Sequence, residues 1–495
     1  MVSRKSLFGA SIPSKILDKS SVKWCTVRLV DILRREKRLD AKAFDVEAKH
    51  AWEQIQKGRY GTVPLYGTDG VIESAHYPGW MQRSRLKRIW CDKNRGEGFY
   101  LPSQMTDIKP VAEKNISRLA DCDMDELRLH QDTLLLTRSG TIGNVSLVSK
   151  TLEGKVFSDD VIRITFKESY DLGYVYAFLK SFVGNTMLRT NGYGAVITHI
   201  EPAHLAELQI PNAPAELREE IHSLISRSYS LRDESNTLID EATKLLAREL
   251  QLPDVCDFDV ALYKKEAGVS TFSVRLSEMG GRLDASYHVP IVKAIVEHVG
   301  QYAKEMTTVG DGRISKTVIL PGRFKRVYVE EGYGVPFFGG KNIGELDPSD
   351  KKYLSFKKHG EKIKNELTIR EGMVLITCSG TIGNIALVPK HWDGWAMTHD
   401  IIRVVPHRDM AGYVFVWLQT DYARAILKSR SYGAVVRHIE KMHIETMPIP
   451  LLRNKAAQAR INALALEANE KRYEAYCLEQ EALKIMDEKV IFANG

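Results

Sequence analysis

The sequence predicts an α+β protein made of two tandem repeats, each a mixed α/β domain followed by a long helix. The hexapeptide SGTIGN at positions 139–144 recurs at 379–384, and its flanking motifs recur in the same order. Each copy ends in proline followed by a stretch with helical periodicity. Solenoid repeats have periods of roughly 20 to 50 residues. A period near 240 therefore indicates a duplicated domain rather than a solenoid.

Composition supports a multidomain protein without a membrane segment. At 495 residues the chain exceeds the size at which a single core keeps growing. Its hydrophobic content of 44% and charged content of 27% are typical of globular proteins. No apolar run reaches the roughly 18 residues that a membrane span needs, and no apolar signal core follows Met1. The six cysteines are scattered singly, so we expect a cytoplasmic chain without a metal site.

The repeats set the predicted domain boundaries. Within each mixed domain, β-branched and aromatic runs broken by glycine predict short strands, and residues 173–183 and 412–426 predict short helices. The predicted order is an N-terminal extension (1–23), a first mixed domain (24–212), a first long helix (213–253), a linker (254–271), a second mixed domain (272–450) and a second long helix (451–490).

The two long helices carry heptad patterns. The first has leucines seven residues apart, and the second has one apolar row and one row of mostly small residues; the predicted seam residues are Leu217, Leu224, Leu231, Leu238, Leu245, Ile461, Leu464, Ala468, Ala475 and Leu478. Because the helices are similar in length, we expect them to pack as an antiparallel coiled coil that gives the chain pseudo-two-fold symmetry. Homodimerisation through one or both helices is the alternative.

Basic residues lie at matching places in the two copies. Positions 83–95 hold six basic residues, one acid and a tryptophan, and positions 323–326 hold three basic residues. A solvated charged strand face explains one such run, but two runs at one place favour contact with nucleic acid. The net charge of +7 alone only permits such contact.

The SGTIGN segment lies between two apolar runs, so it predicts a turn joining two strands. It lacks the G-K-[ST] ending of a phosphate-binding loop. Its glycines mainly supply permissive backbone angles, while Arg138, Ser139 and Thr141 remain within reach of a phosphate. The predicted DNA-contacting residues are Arg83, Arg85, Lys87, Arg88, Lys93, Arg138, Ser139, Thr141 and Tyr193 in the first copy, and Arg323, Lys325, Arg326, Lys341, Ser379, Thr381 and Tyr432 in the second.

No credible catalytic constellation is found in the sequence. The Asn/Asp-Pro-Pro motif of adenine methyltransferases is absent, and Asp159 with Asp160 matches a nuclease pattern only weakly. The H-x-E segments that begin at His199 and His438 lack the P-C-x-x-C of zinc deaminases. The sequence favours a DNA-recognition protein that is not an enzyme. The alternatives are a methyltransferase or nuclease acting alone, or a bivalent adaptor that binds protein.

The order of motifs resembles the specificity subunits of type I restriction-modification systems. The matching elements are an apolar strand followed by S-G-x-x-G, then G-x-x-x-x-H-I beginning at Gly194 and Gly433, then Ile-Pro at 210–211 and 449–450. The segment 130–132 departs from the family, which usually has a glycine there. The first 23 residues and the 257–270 connector have no clear counterpart in the family.

That resemblance implies two target-recognition domains that read the halves of a bipartite, asymmetric double-stranded DNA site. It implies a noncatalytic chain whose helices set the spacer and dock two modification (methyltransferase) subunits, with restriction and translocase subunits alongside. S-adenosylmethionine, ATP and magnesium are then expected on those partners, with none bound by this chain. The implied role is phage defence.

Overall fold

The computed structural model describes residues 26–27, 29–34, 45–79, 87–92, 95–120, 123–190, 192, 198–253, 264–266, 269–348 and 351–493. The chain forms two compact units. Unit 1 contains residues 1–233 and 475–495, and unit 2 contains residues 234–474. This division cuts both long helices, whereas the boundaries predicted from sequence assign each helix whole; those boundaries stay a prediction.

The helices and strands of unit 1 that precede its long helix are short. Its helices are α1 (Leu29–Arg34), α2 (Val46–Lys57), α3 (Met124–Leu127), α4 (Asp171–Lys180) and α5 (Phe182–Thr190), with 3-10 turns at Pro102–Gln104 and Pro202–Glu207. Its strands are β1 (Thr62–Pro64), β2 (Ile72–His76), β3 (Trp90–Cys91), β4 (Gly96–Tyr100), β5 (Lys114–Ser117), β6 (Leu134–Thr137), β7 (Val145–Leu147), β8 (Val156–Phe157), β9 (Val161–Phe166) and β10 (Gln209–Pro211). The long helix α6 (Ala215–Glu249) follows.

The elements that follow α6 belong to unit 2 as far as residue 474, and the chain after residue 474 belongs to unit 1. The strands of unit 2 are β11 (Lys264–Glu266), β12 (Val269–Thr271), β13 (Glu305–Thr308), β14 (Ser315–Ile319), β15 (Tyr328–Val329), β16 (Gly334–Phe338), β17 (Lys352–Ser355), β18 (Val374–Thr377), β19 (Ile385–Leu387), β20 (Ala396–Met397), β21 (Ile401–Pro406) and β22 (Pro448–Leu451). Its helices are α7 (Pro290–Tyr302), α8 (Phe356–Lys362), α9 (Ala411–Gln419), α10 (Asp421–Arg430) and α11 (Lys441–Glu445). The long α12 (Lys455–Ile485) begins in unit 2 and ends in unit 1. Shorter turns lie at Leu276–Glu278, Gly340–Asn342, Ile363–Leu367 and Lys390–Trp392, and a π-helical turn, Met486–Ile491, continues α12.

The two units contain sheets with the same strand order. Unit 1 has the sheets β2-β9-β6-β7 and β3-β5-β4-β8 and the pair β1-β10, and unit 2 has β14-β21-β18-β19 and β15-β17-β16-β20 and the pair β13-β22. All pairings in these sheets are antiparallel except β4 with β8 and β16 with β20. The mixed α+β architecture predicted from sequence is confirmed. Within the predicted linker, β11 and β12 form an additional hairpin.

The central strands β6 and β18 are apolar on both faces because each separates two cores. Leu134 and Leu136 enter the main core of unit 1, and the alternate residue Leu135 enters a second, smaller core. In unit 2, Val374 enters the main core and Leu375 enters a smaller core. Alternation of side chains along a strand accounts for this pattern. It also explains why these runs look uniformly hydrophobic in the sequence.

The predicted short helices exist, but each is split into two. Ser181 separates α4 from α5, and its hydroxyl accepts a hydrogen bond from the Gly184 amide at 3.1 Å. Thr420 separates α9 from α10 and accepts from the Ala423 amide at 3.2 Å. Each hydroxyl caps the second helix, since it satisfies an amide that has no partner in the first turn. A capping residue inside an apolar run was not recognised in the sequence.

Within each unit, a segment of α6 packs on a segment of α12 with opposite chain direction. In unit 2, Lys471 Nζ lies 2.7 Å from Glu234 and Arg460 lies 3.4 Å from Glu241. In unit 1, the Ser228 hydroxyl donates to the Ala475 carbonyl at 2.7 Å, and Lys489 Nζ lies 3.1 Å from Glu220.

The most buried row of α6 differs from the predicted leucine row. Leu217 and Leu224 are half-buried against the core of unit 1, and Leu238 and Leu245 are half-buried against the core of unit 2. Five of the predicted seam residues are fully buried, namely Leu231, Ile461, Leu464, Ala468 and Ala475, while Leu478 is half-buried. The other fully buried residues of the two helices and the turn that continues α12 are Ile221, Ile225, Ser228, Ser235, Ile239, Ala242, Leu246, Ala465, Glu479, Ala482 and Met486. The other four leucines of the predicted α6 row are only half-buried because the α6 segment in each unit must also cover the mixed core of that unit. The heptad pattern alone does not reveal this second packing surface.

A buried ionic cluster in unit 1 takes the place of an apolar seam layer. The side chain of Glu479 has no exposed area, and its carboxylate accepts from Arg232 at 2.7 Å and Tyr176 at 2.5 Å and also pairs with Lys180. Burial alone raises the pKa of Glu479, but Lys180 and Arg232 outweigh it and hold the pKa at about 2. Sequence reasoning missed this cluster.

The helices in the described part of the chain contain no stretch long and apolar enough to cross a membrane.

Candidate nucleic-acid interface

The SGTIGN segments form turns between antiparallel strands, as predicted. β6 pairs with β7, and β18 pairs with β19. The glycines adopt left-handed angles: φ is 79° at Gly140 and 100° at Gly143, and 72° and 85° at the two equivalent glycines of unit 2. The Thr137 hydroxyl donates to the Thr141 carbonyl at 2.7 Å, and Thr377 donates to Thr381 at 2.6 Å. Each turn is closed from inside by the threonine that ends the preceding strand.

Two further segments meet each turn. In unit 1 the Arg138 amide donates to the Asp160 carbonyl at 3.0 Å, and the Ile200 amide donates to the Arg138 carbonyl at 2.9 Å. In unit 2 the same two bonds join Cys378 to Asp400 and to Ile439, both at 3.0 Å. The repeated turn, the segment before β9 or β21, and the H-x-E segment therefore form one surface cluster in each unit. We call these the turn clusters.

Acidic groups neutralise the arginines of the unit 1 turn cluster. Arg138 donates to Glu201 at 2.7 Å, and its guanidinium lies over the Tyr77 ring at 4.0 Å. Burial lowers the pKa of Arg138, but Glu201 more than compensates and the net shift is upward. Arg88 pairs with Asp159 at 2.7 Å.

The unit 2 turn cluster has different side chains on the same backbone. Cys378 occupies the position of Arg138, and burial raises its thiol pKa to about 12. Arg326 lies 3.2 Å from His399 Nδ1 and 4.0 Å from Asp400. Burial lowers the pKa of His399; Asp400 opposes this effect, and Arg326 and Arg323 reinforce it.

The predicted DNA-contacting residues fall into three groups. Those that are exposed are Lys87, Thr141, Arg323, Lys325, Lys341, Thr381 and Tyr432, and those that are half-buried are Arg88, Arg138, Ser139, Arg326 and Ser379. Arg83, Arg85, Lys93 and Tyr193 lie outside the described residues. The structure brings Arg88 and Arg138 together in unit 1, and Arg326, Ser379 and Tyr432 in unit 2, while Arg323 is exposed on the segment just before Arg326. Lys341 follows Gly340, which packs beside Thr377 at the base of the unit 2 turn.

Sequence reasoning missed a buried arginine beneath each cluster. Arg163 donates to the carbonyls of Val161, Leu127 and Phe157 at 2.9, 3.1 and 3.3 Å. Arg403 donates to the matching carbonyls of Ile401, Met397 and Leu367 at 2.6, 2.7 and 3.3 Å. Burial lowers the pKa of each arginine to about 10. An arginine repeated inside an apolar strand of both copies was the available signal.

Among the described residues, no group of three or more histidine, cysteine, aspartate or glutamate side chains is arranged to hold a metal ion.

Comparisons with known proteins give solved structures but no sequence relatives. No protein-family model matches the chain, and no curated protein matches it. The type I restriction-modification S subunit from M. genitalium aligns over 88% of this chain and 96% of its own at 12% identity, with a TM-score of 0.32. The HsdS subunit from Thermoanaerobacter tengcongensis aligns over 87% and 99% at 14% identity, with a TM-score of 0.26.

A third structure, described as showing complex assembly and conformational transition of the type I R-M system, aligns over 87% of this chain and 97% of its own. Its identity is 15% and its TM-score is 0.25. These neighbours come from the family that the motif order resembles.

Proposed function

We propose that this chain is the DNA-recognition subunit of a type I restriction-modification system and that each unit reads one half of a bipartite site. One observation carries the proposal: the same backbone cluster occurs in both units, with different cationic and aromatic side chains on it. A shared framework with diverged surface residues is what a reader of two unlike half-sites requires. Exposed Arg323 and Lys325 supply the phosphate contacts of unit 2.

The proposal assigns the chemistry to partner proteins. The chain itself recognises DNA and is not an enzyme; modification subunits bind S-adenosylmethionine and methylate the site, and restriction subunits use ATP and magnesium. Two modification subunits match the two recognition domains. The setting is phage defence in the cytoplasm. The support is the duplicated architecture together with the motif order described above.

We also propose that α6 and α12 form an antiparallel coiled coil that relates the recognition domains by pseudo-two-fold symmetry and sets the length of the spacer. The ion pairs between oppositely directed segments within each unit support this packing. Removing one heptad from each helix shortens a helix by about 10 Å, which corresponds to about three base pairs. The preferred spacer should shorten by that amount, and an unaltered spacer would contradict the ruler role.

The function is tested by incubating the full chain with plasmid DNA, magnesium and S-adenosylmethionine, with and without its partner subunits. The chain alone should bind duplex DNA and leave it unmethylated and uncut. Adding a modification subunit should produce site-specific methylation. Methylation or cleavage by the chain alone would overturn the proposal, and DNA retention that survives charge reversal of Arg323 and Lys325 would favour a protein adaptor.

A further inference from the structure

The H-x-E segment of unit 2 is preceded by a pinned hairpin with an exposed apolar tip. Tyr432 and His438 exchange both backbone hydrogen bonds, at 3.0 and 2.7 Å, and thereby close a loop of five residues. Residues 432–437 are all exposed, and Val435 keeps 96% of its accessible surface. We call residues 432–438 the tip hairpin.

The shape of the tip hairpin is fixed by its sequence. Gly433 has a φ of 103°, and a Cβ at that position would lie 2.3 Å from the Val436 carbonyl oxygen. No residue but glycine fits there without displacing the loop. The same letters, Tyr-Gly-Ala-Val, occur at positions 193–196 of the first repeat, which lie outside the described residues.

Several contacts hold the base of the tip hairpin. The Gly380 amide of the repeated turn donates to the Arg437 carbonyl at 3.2 Å. Arg282 begins an Arg-Leu-Asp-Ala sequence that also occurs at positions 38–41, and it donates to the carbonyls of Arg430 and Ser431 at 2.9 and 3.0 Å. Asp284 holds the Arg282 guanidinium from the other side at 2.6 and 2.8 Å. An exposed valine is thus presented on a braced support.

Exposed cations lie on the tip hairpin and on one segment of its turn cluster. Arg437 is an exposed residue of the hairpin itself, and Arg323 and Lys325 are exposed on the segment that leads to Arg326, which pairs with Asp400 of the same cluster. The Tyr432 hydroxyl donates to Glu440, and this bond raises the pKa of Tyr432, while Arg323 opposes the rise. A polyanion is therefore the partner that complements the charge around this apolar tip.

The tip hairpin suits the apolar faces of stacked bases, which are present in both half-sites. Its first four residues, Tyr-Gly-Ala-Val, are identical in the two repeats, whereas the neighbouring Arg138 and Cys378 differ. Base edges vary with sequence, but the faces of stacked bases are apolar in every sequence. Apolar side chains that enter a groove act as wedges between base steps. An invariant apolar tip beside variable polar residues fits the base stack and not a particular base.

We propose that Val435 is a wedge that the tip hairpin inserts into the base stack of the half-site bound by unit 2. This inference rests on the proposed function and adds a sequence-independent contact to it. The wedge partly unstacks one base step, and the neighbouring cations hold the flanking phosphates.

The test uses the full chain and a duplex recovered from a randomised pool, with 2-aminopurine placed at each position of one half-site in turn. Wild-type protein should raise the fluorescence at one step. Val435→Ala should abolish that rise and weaken binding about tenfold, with an unchanged salt slope because no phosphate contact is lost. Gly433→Ala, which keeps the valine but displaces the loop, should lose the fluorescence rise as well.

Leu276→Ala is the matched control, since Leu276 is also highly exposed, at 86%, in the same unit. If Val435→Ala behaves like Leu276→Ala in both assays, the proposal that Val435 inserts into the base stack is wrong. Site-specific binding by wild type without any fluorescence rise also rejects the wedge but leaves the proposed function intact. Failure to recover any duplex rejects both. Loss of a protein partner with DNA binding intact would assign the hairpin to protein docking and overturn the proposal.

Discussion

Units 1 and 2 share the bonds beneath their turn clusters and differ in the side chains above them. Arg163 and Arg403 bond to backbone carbonyls, and so do Thr137 and Thr377. Such bonds do not depend on which side chains lie nearby, so they persist while the surface diverges. The position after each central strand is the clearest contrast, because unit 1 has Arg138 there and unit 2 has buried Cys378. The framework is therefore common, and the recognition surface is specific to each unit.

The long-helix segments show the same contrast in the protein interior. In unit 1, buried Arg232 pairs with Glu479 at 2.7 Å. In unit 2, buried Arg472 donates to the Ser235 hydroxyl at 3.3 Å, and burial lowers its pKa to about 10. Among the described residues, burial is the only cause that shifts the Arg472 pKa. Two buried arginines thus differ in whether a carboxylate compensates the cost of burial.

The largest expected effect comes from breaking the buried ion pair between Arg232 and Glu479 in unit 1. Glu479→Gln should lower the free energy of unfolding by about 3 kcal/mol or more, because it leaves Arg232 and Lys180 without their carboxylate. Arg472→Met is the matched control and should be neutral or stabilising by about 1 kcal/mol, since it removes a buried charge that has no such partner. Urea unfolding, with hydrogen exchange to locate the loss in unit 1, measures both. Equal losses in the two variants would contradict the contrast.

The same pair predicts a pH dependence. The folded pKa of Glu479 is about 2, below its ordinary value of 4.5, so the ion pairs contribute fully above about pH 4.5. That contribution is lost as the pH falls towards 2. Wild-type stability should decline steeply through this window, and the Glu479→Gln variant should decline less. Parallel pH profiles would show that Glu479 does not carry the effect.

A smaller effect tests the shared framework. A Cβ at Gly173 would lie 2.6 Å from His222 Cα, and one at Gly412 would lie 2.4 Å from the Asn462 carbonyl oxygen. Each glycine lets a short helix approach a long helix closely. Gly173→Ala and Gly412→Ala should each cost about 1 to 3 kcal/mol by overpacking, as measured by thermal or urea unfolding. A cost at only one position would show that the two units are built differently.

The smallest expected effect concerns the surface arginines. Arg88 is neutralised by Asp159, whereas Arg326 contacts His399 at 3.2 Å and Asp400 only at 4.0 Å. Arg326→Ala should therefore flatten the salt dependence of DNA binding by about one unit, and Arg88→Ala by less. DNA-binding titrations at several salt concentrations measure the salt dependence of both variants. A larger change for Arg88→Ala would contradict the view that Arg88 is the more strongly neutralised of the two arginines.

The sequence predicted those features that depend on local pattern. Repeated glycines between apolar runs predicted the turns, and the repeated prolines and heptads predicted the long helices, because each rests on one periodicity or one backbone constraint. Buried Arg163, Arg403 and Glu479 were not predicted, since a charged residue counts as exposed until its partners are known. The half-buried positions of Leu217, Leu224, Leu238 and Leu245 were not predicted for a different reason: a helix that packs on two surfaces has no single apolar stripe.

The central claim is that the two units read separate half-sites, and selection from a randomised duplex pool tests it most directly. Wild-type protein should recover two short motifs at a fixed separation. The double variant Arg323→Ala with Lys325→Ala should bind more weakly and retain only one motif, because only unit 2 has lost phosphate contacts. Recovery of a single continuous motif by wild type, or equal loss of both motifs in the variant, would contradict the account.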